Sequence, residues 1–245
     1  SLKQIFESRG TSTRVVSYGN IKKIPQPLKI FFYFFRLLKA SLGADVIYAF
    51  NIISCGMPAY LCSKILRKRF LIRLGGDFLW ERAVEQGRSR QTLREYYESA
   101  AKTSQEKFAM FIIGKLLRSA DKLIFTSDFQ RQIYMKHYGF KVEKTAIIKN
   151  PFPEIGLKTP RKDYQLLYAG RLLKLKNLEF LIKVFYGLLS KTDKQVTLKI
   201  VGEGPEKANL SKYEKVTFVP SLPHQELMEE IAKSFVETKH EIKIK

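Results

Sequence analysis

Short β-branched and aromatic runs alternate along the chain with longer stretches whose apolar residues recur at helical spacing. Residues 14–18, 45–50, 70–74, 122–126 and 145–148 read as strands, each ending near a polar or glycine position. Between them, Pro58 opens a helix over 58–67, and the nearly glycine-free stretch 89–120 holds one or two helices. Ser127 caps a helix that runs to Tyr138, with Gly139 as its stop. A second series follows: strand 165–169, helix 178–190, strand 196–201, helix 205–210, strand 216–219 and helix 224–233. Strands alternating with helices require crossover connections, and so parallel sheets covered by helices. Pro151, Phe152 and Pro153, with the polar stretch 158–163, read as a linker between two α/β domains, 1–157 and 158–245.

Composition narrows the class. The 245 residues are 45% hydrophobic and 13% aromatic, enough apolar material for packed cores. Two cysteines, Cys55 and Cys62, are too few for a disulfide scaffold, and three histidines make no metal site, so a cytoplasmic, reducing compartment fits. No secretory leader is expected at the Ser1 end. The uncharged stretch 46–63 is 18 residues long, but Asn51, Gly56 and Pro58 break it, so it reads as soluble interior.

The charge of +21 is uneven: residues 1–75 hold 13 Lys and Arg against two acids, Glu7 and Asp45. This excess surrounds Ile-Phe-Phe-Tyr-Phe-Phe at 30–35. A basic face carrying aromatics is what a protein lying peripherally on anionic lipid presents, at the inner face of a membrane. The alternative is a helix whose Phe31, Phe34, Phe35 and Leu38 form a core stripe with solvated lysines outside. Nucleic acid also attracts such charge, but no specific binding motif is present.

In open α/β sheets, ligands bind where loops meet the carboxyl ends of strands. The chain puts Gly75-Gly76-Asp77, Asn150, Gly170-Arg171 and Gly202-Glu203-Gly204 there. The loop 170–177 leaves a strand and opens a helix, so its backbone N–H groups, with Arg171 and Lys176, suit an anion such as a diphosphate. Gly202 and Gly204 either let a ligand approach the backbone or make a tight turn. A dinucleotide fingerprint would need a third glycine, which argues against NAD.

Tyr-Ala-Gly-Arg-Leu-Leu-Lys-Leu-Lys-Asn (168–177), Leu-Lys-Ile-Val-Gly-Glu-Gly-Pro (198–205) and Val-Thr-Phe-Val-Pro (216–220) with His-Gln-Glu-Leu (224–227) follow in order. In this order and spacing they resemble the C-terminal domain of retaining glycosyltransferases of family 4, also called group 1. Ala-Asp-Lys-Leu-Ile-Phe-Thr-Ser (120–127), Lys-Thr-Ala-Ile-Ile-Lys-Asn-Pro (144–151) and Arg-Leu-Gly-Gly-Asp-Phe-Leu-Trp-Glu (73–81) are similar to blocks of the N-terminal domain. The resemblance implies a GT-B fold of two Rossmann-like domains, and transfer of a hexose from a UDP- or GDP-type sugar to a glycan or lipid-linked acceptor with retention, as in polysaccharide biosynthesis. It implies that Arg171 and Lys176 hold the diphosphate and stabilise the leaving group with no metal or other cofactor. Asn150, Gly170, Gly202, Glu203 and Gly204 would line the donor site, and Gly75, Gly76, Asp77, Trp80 and Glu81 the acceptor side. Asp77 either accepts the acceptor's proton or caps the helix that follows, and Trp80 either stacks on a sugar or packs.

The family pattern continues past residue 233 with two glutamates eight positions apart, whereas Glu237 has no such partner. Both ends therefore read as truncated, with an incomplete donor domain and a missing first strand. The rival readings are a catalytically incomplete binding or structural module and a basic nucleic-acid or membrane-surface binder.

Overall fold

The computed structural model describes residues 2–18, 25–150 and 164–234. The chain splits into two compact units, Ser1–Ala83 with Ser89–Pro151 and Val84–Arg88 with Phe152–Lys245. The expected linker at 151–153 and 158–163, and Glu237, lie outside the described residues.

In the first unit, helices α1 (Leu2–Ser8) and α2 (Gln26–Ser41) precede four strands, β1 (Val46–Ala49), β2 (Arg69–Leu74), β3 (Lys122–Phe125) and β4 (Thr145–Ile147). All pair in parallel, in the order β1-β2-β3-β4. Strand β2 shows why: Phe70, Ile72 and Leu74 are buried while Arg69, Leu71 and Arg73 between them are not, the two-residue period of a strand. Between β1 and β2 the chain makes a π turn at Ile52–Gly56 and then α3 (Met57–Leu66). Asn51 holds the turn by accepting from the Cys55 N–H at 2.9 Å, and a Cβ on Gly56 would lie 2.5 Å from the Asn51 carbonyl. The uncharged stretch 46–63 is thus strand, turn and helix. Among the described residues no helix is long and apolar enough to cross a membrane.

Three helices link β2 to β3: α4 (Phe78–Glu85), α5 (Leu93–Glu98) and α6 (Ser104–Ser119). The stretch 89–120 divides because Thr92 with Glu95 and Thr103 with Glu106 each form a reciprocal capping box, and so start separate helices. Ser127 caps α7 (Asp128–Tyr138) through the Gln130 N–H, and Gly139 ends it in the left-handed region at φ 63°.

Two expectations fail here. Residues 14–18 form no strand, although Val16 and Tyr18 pack on the core. Their β-branched and aromatic character serves side-chain burial, with Tyr18 stacked on Tyr33 at 4.4 Å and donating to the Ser54 carbonyl. Helix α2 is also turned differently from the expected stripe. It buries Tyr33 and Leu37, with Phe34 and Leu38 half-buried, and leaves Phe31 and Phe35 exposed. A helix apolar on nearly every side carries no period to choose the inward face.

The second unit repeats the plan with β5 (Gln165–Ala169), β6 (Thr197–Val201) and β7 (Val216–Val219), parallel in that order. Helices α8 (Leu178–Leu189), α9 (Lys207–Leu210) and α10 (His224–Lys233) complete it. Its core is separate, built on Leu172, Leu178, Ile182, Phe185, Leu198 and Ile200. Both units are parallel, Rossmann-like α/β, as the alternation of elements predicts.

Candidate functional site

The residues singled out from the sequence fall into a group in each unit, at carboxyl ends of parallel strands, where this architecture gathers its ligand-binding loops.

In the first unit, β2 runs into Gly75, Gly76 and Asp77. Asp77 is 2% exposed, and both carboxylate oxygens are occupied. Oδ1 accepts the Trp80 N–H at 2.7 Å, which caps α4. Oδ2 accepts the hydroxyls of Tyr97 at 2.6 Å and Tyr134 at 2.7 Å. The Tyr97 proton points to Asp77, so in the 2.8 Å contact between Tyr97 and Tyr138 it is Tyr138 that donates. Burial, followed by the charges of Tyr134 and Asp77, pushes the Tyr97 phenol far above its ordinary value, and burial does the same for Tyr134. Both therefore stay protonated donors.

This corrects the expectation that Asp77 takes a proton from an acceptor hydroxyl. It is the helix cap and the hub of a buried phenol network, and both oxygens are already engaged inside the first unit. Trp80 packs against the core and donates its indole N–H to the Gln91 carbonyl at 2.8 Å, the packing that was one of its two expected uses. Glu81 Oε1 accepts the Asp77 N–H at 3.1 Å. Gln130 on α7 donates to the Gly76 carbonyl at 3.0 Å. Gly75 and Gly76 themselves are exposed at the strand end. Asn150 is tied to the same end, because Arg73 of β2 donates to its side-chain oxygen and to the Ile148 carbonyl, both at 3.0 Å.

Sequence reasoning missed Tyr97, Tyr134, Gln130 and Arg73. The three first-named anchors come from helices remote in the chain and carry no local signal. Arg73 had one, as an outward position in the alternation of β2.

In the second unit the ladder continues past the strands. Gly170 N–H donates to the Val201 carbonyl at 2.9 Å, Leu172 N–H to Glu203 at 3.0 Å, and Gly202 N–H to Val219 at 2.9 Å. The loops after β5 and β6 therefore touch backbone to backbone. A Cβ on Gly202 would lie 1.9 Å from the Gly170 carbonyl oxygen, and one on Gly204 would lie 2.3 Å from that of Leu172. Gly202 adopts φ 145° besides, which side chains rarely tolerate. The space these glycines leave is filled by the chain's own backbone, which corrects the ligand-approach reading, while the Lys207 N–H to Gly204 carbonyl bond at 3.1 Å makes the turn that was the alternative.

The backbone donors of 170–177 also differ from expectation. The N–H groups of Gly170, Leu172, Leu173, Lys176 and Asn177 all go to carbonyls of the same unit. A 3-10 turn at Lys174–Lys176 and Asn177 in the left-handed region separate the loop from α8. The Leu175 N–H goes to the Glu85 carboxylate at 3.1 Å, so most backbone donors of this loop are used within the unit, and its exposed cationic side chains are the main groups left for an anion. The extended alternation that buries Leu172 completely turns Arg171 outward. Arg171 and Lys176 are both exposed, and among the described residues neither side chain has a hydrogen-bond or ion-pair partner. Tyr168 braces the loop by donating to the Arg171 carbonyl at 3.1 Å. Glu203 pairs with Lys207 at 3.0 Å in an exposed contact of the weak surface kind.

The sequence model of the family described as Glycosyl transferases group 1 matches residues 154–236. No curated protein matches the chain. Among solved structures, TarM is similar at TM-score 0.55 and 16% identity, over 84% of this chain and 38% of that one. A mutant of S. aureus TarM in complex with fondaparinux, alpha-GlcNAc-glycerol and UDP gives 0.53 and 17%, over 82% and 38%. The UDP-GlcNAc 2-epimerase of Methanocaldococcus jannaschii gives 0.51 and 12%, over 95% and 66%. The chain thus spans 38% of the length of the TarM structures and 66% of the epimerase. At such identities the likeness speaks for the fold, which is the α/β architecture of GT-B glycosyltransferases and epimerases, and the family match over 154–236 takes in β5 to α10 of the second unit.

Proposed function

We propose that the chain is part of a glycosyltransferase that moves a hexose from a nucleoside diphosphate sugar to a glycan or lipid-linked acceptor with retention of configuration. The observation that carries this reading is the coincidence of the group 1 match at 154–236 with two exposed cations at the end of β5, Arg171 and Lys176, which have no partner among the described residues. A diphosphate offers the charge they lack. As the bond from the anomeric carbon to the leaving oxygen breaks, negative charge grows on the diphosphate, and two fixed cations favour that state over the ground state. Gly170, Gly202, Glu203 and Gly204 form the rigid support of this subsite, and Asn150 is a further donor-side contact. Gly75 and Gly76 offer exposed backbone to the acceptor, with Asp77, Trp80 and Glu81 holding that loop from behind. The neighbours support a uridine donor, since one was solved with UDP and another is named for UDP-GlcNAc. Both cysteines are free thiols, in accord with a reducing, cytoplasmic setting.

Calorimetry of the 245-residue chain against UDP, GDP and their sugars tests the donor subsite, with Arg171→Ala/Lys176→Ala as comparison. Binding of one nucleotide, weakened at least about tenfold in the variant, is the expected result. Equal binding by the variant would sink the assignment. Binding without turnover when acceptors are supplied would favour a binding module, and the anomeric configuration of any product, read by NMR, tests retention.

A further inference from the structure

Helix α2 has two apolar faces. One packs inward through Tyr33 and Leu37, which are 4% and 8% exposed. At about 100° per residue, Phe31, Phe35 and the C-cap Leu42 fall within an arc of about 40° on the roughly opposite side. They are 56%, 49% and 64% exposed. The rings of Phe31 and Phe35 meet at 4.7 Å, so they present one continuous apolar ridge. Phe32, Arg36 and Lys39, all exposed, follow along one flank of that ridge. Helix α3 lies beside α2, with the Cys62 thiol against the Phe34 carbonyl, and adds exposed Leu61, Lys64 and Ile65. Neither helix contains an acidic residue.

An exposed apolar ridge edged by cations, with no acid in either helix, matches one partner chemistry: a surface that is apolar beneath and negatively charged at its rim. We infer that the outward face of α2, extended by α3, docks on an anionic lipid bilayer, with Phe31, Phe35 and Leu42 in the headgroup and acyl boundary. Arg36, Lys39 and Lys64 bury their methylene stems and reach the phosphates. The helix lies in the interface, since no helix among the described residues is long and apolar enough to cross. A protein partner of matching acidity, or a second copy of the chain, would use the same ridge and must be separated by the experiment. This surface is independent of the donor subsite assigned above.

The test is flotation of the full chain with phosphatidylcholine vesicles, with and without phosphatidylglycerol, at physiological ionic strength, where the bulk charge is screened. Binding is expected only with phosphatidylglycerol. Phe31→Ser/Phe35→Ser, which leaves the net charge unchanged, should weaken it about tenfold or more, as should Arg36→Glu/Lys39→Glu. Phe108→Ser on α6 removes a comparably exposed ring elsewhere and should leave it intact. Thermal melts confirm that the variants are folded. Vesicle binding indifferent to phosphatidylglycerol, to the Phe31/Phe35 pair, or weakened equally by Phe108→Ser, overturns the inference. So does a wild-type dimer that ignores vesicles and becomes monomeric in the Phe31/Phe35 variant.

Discussion

At the end of β2, Gly75 and Gly76 lead into a residue whose side chain is gripped by Trp80, Tyr97 and Tyr134, while Gln130 holds the Gly76 carbonyl. At the ends of β5 and β6 the side-chain contacts are fewer, with Tyr168 donating to the Arg171 carbonyl and Glu85 accepting the Leu175 N–H, and Gly170, Gly202 and Gly204 let main chain meet main chain. Two glycine-marked strand ends of the same architecture are thus fixed by different forces. The first relies on buried polar bonds from remote helices, each strong only while all partners stay in place. The second relies mainly on sterics, and tolerates no added atom at Gly202 or Gly204.

Substitutions should separate the two. Gly202→Ala pushes a methyl into the Gly170 carbonyl and strains a φ of 145°, so a loss of about 3 kcal/mol or more is expected in the second unit, read by urea unfolding and hydrogen exchange. Gly75→Ala meets nothing within 4 Å and should stay within about 0.5 kcal/mol. Equal costs would mean that the two strand ends are held by the same kind of contact. Asp77→Ala removes a cap and strands two buried phenols, and should destabilise the first unit by about 3 kcal/mol, visible in the fluorescence of the single tryptophan, Trp80. Asp77→Asn, which keeps an acceptor, should lose less.

Arg171→Ala/Lys176→Ala should move stability by less than about 0.5 kcal/mol, because both side chains are exposed and neither has a polar partner among the described residues. The same variant should lower nucleotide affinity by about 1.4 kcal/mol or more, the tenfold predicted above. A large stability loss instead would mean that the cations belong to the scaffold.

The smallest effect is in pH. Burial, then the charge of Lys136, lowers the His137 pKa below its ordinary 6.5. Folding therefore favours the neutral ring, and that stability is present above pH 6.5 and lost as pH falls through the lowered value. The Lys199 hydrogen bond chiefly lowers Glu230 below its ordinary 4.5, so its contribution is present above pH 4.5 and lost only under stronger acid. Hydrogen exchange between pH 6.5 and 4.5 should loosen the first unit before the second, and His137→Gln should remove the difference.

How much of this was legible in the chain follows from the range of each force. Parallel strands showed because alternation and turn residues are local, and Arg171 turned outward because Leu172 must turn in. Ser127 and Gly139 marked their helix ends for the same local reason. The role of Asp77 was hidden, since Tyr97 and Tyr134 reach it from other helices. The orientation of α2 was hidden too, since aromatics on every side erase the period. The glycine contacts needed two loops to meet, which only the pairing of β5 with β6 brings about.

The main-chain contact of Gly202 with Gly170 bears on how readily this protein can be re-engineered. Because the loop's position is fixed by atoms common to every amino acid, the side chain at 171 can be varied without disturbing its mount. A library randomised at 171 and 176, with the glycines kept, should retain folded members throughout and differ mainly in which anion it selects.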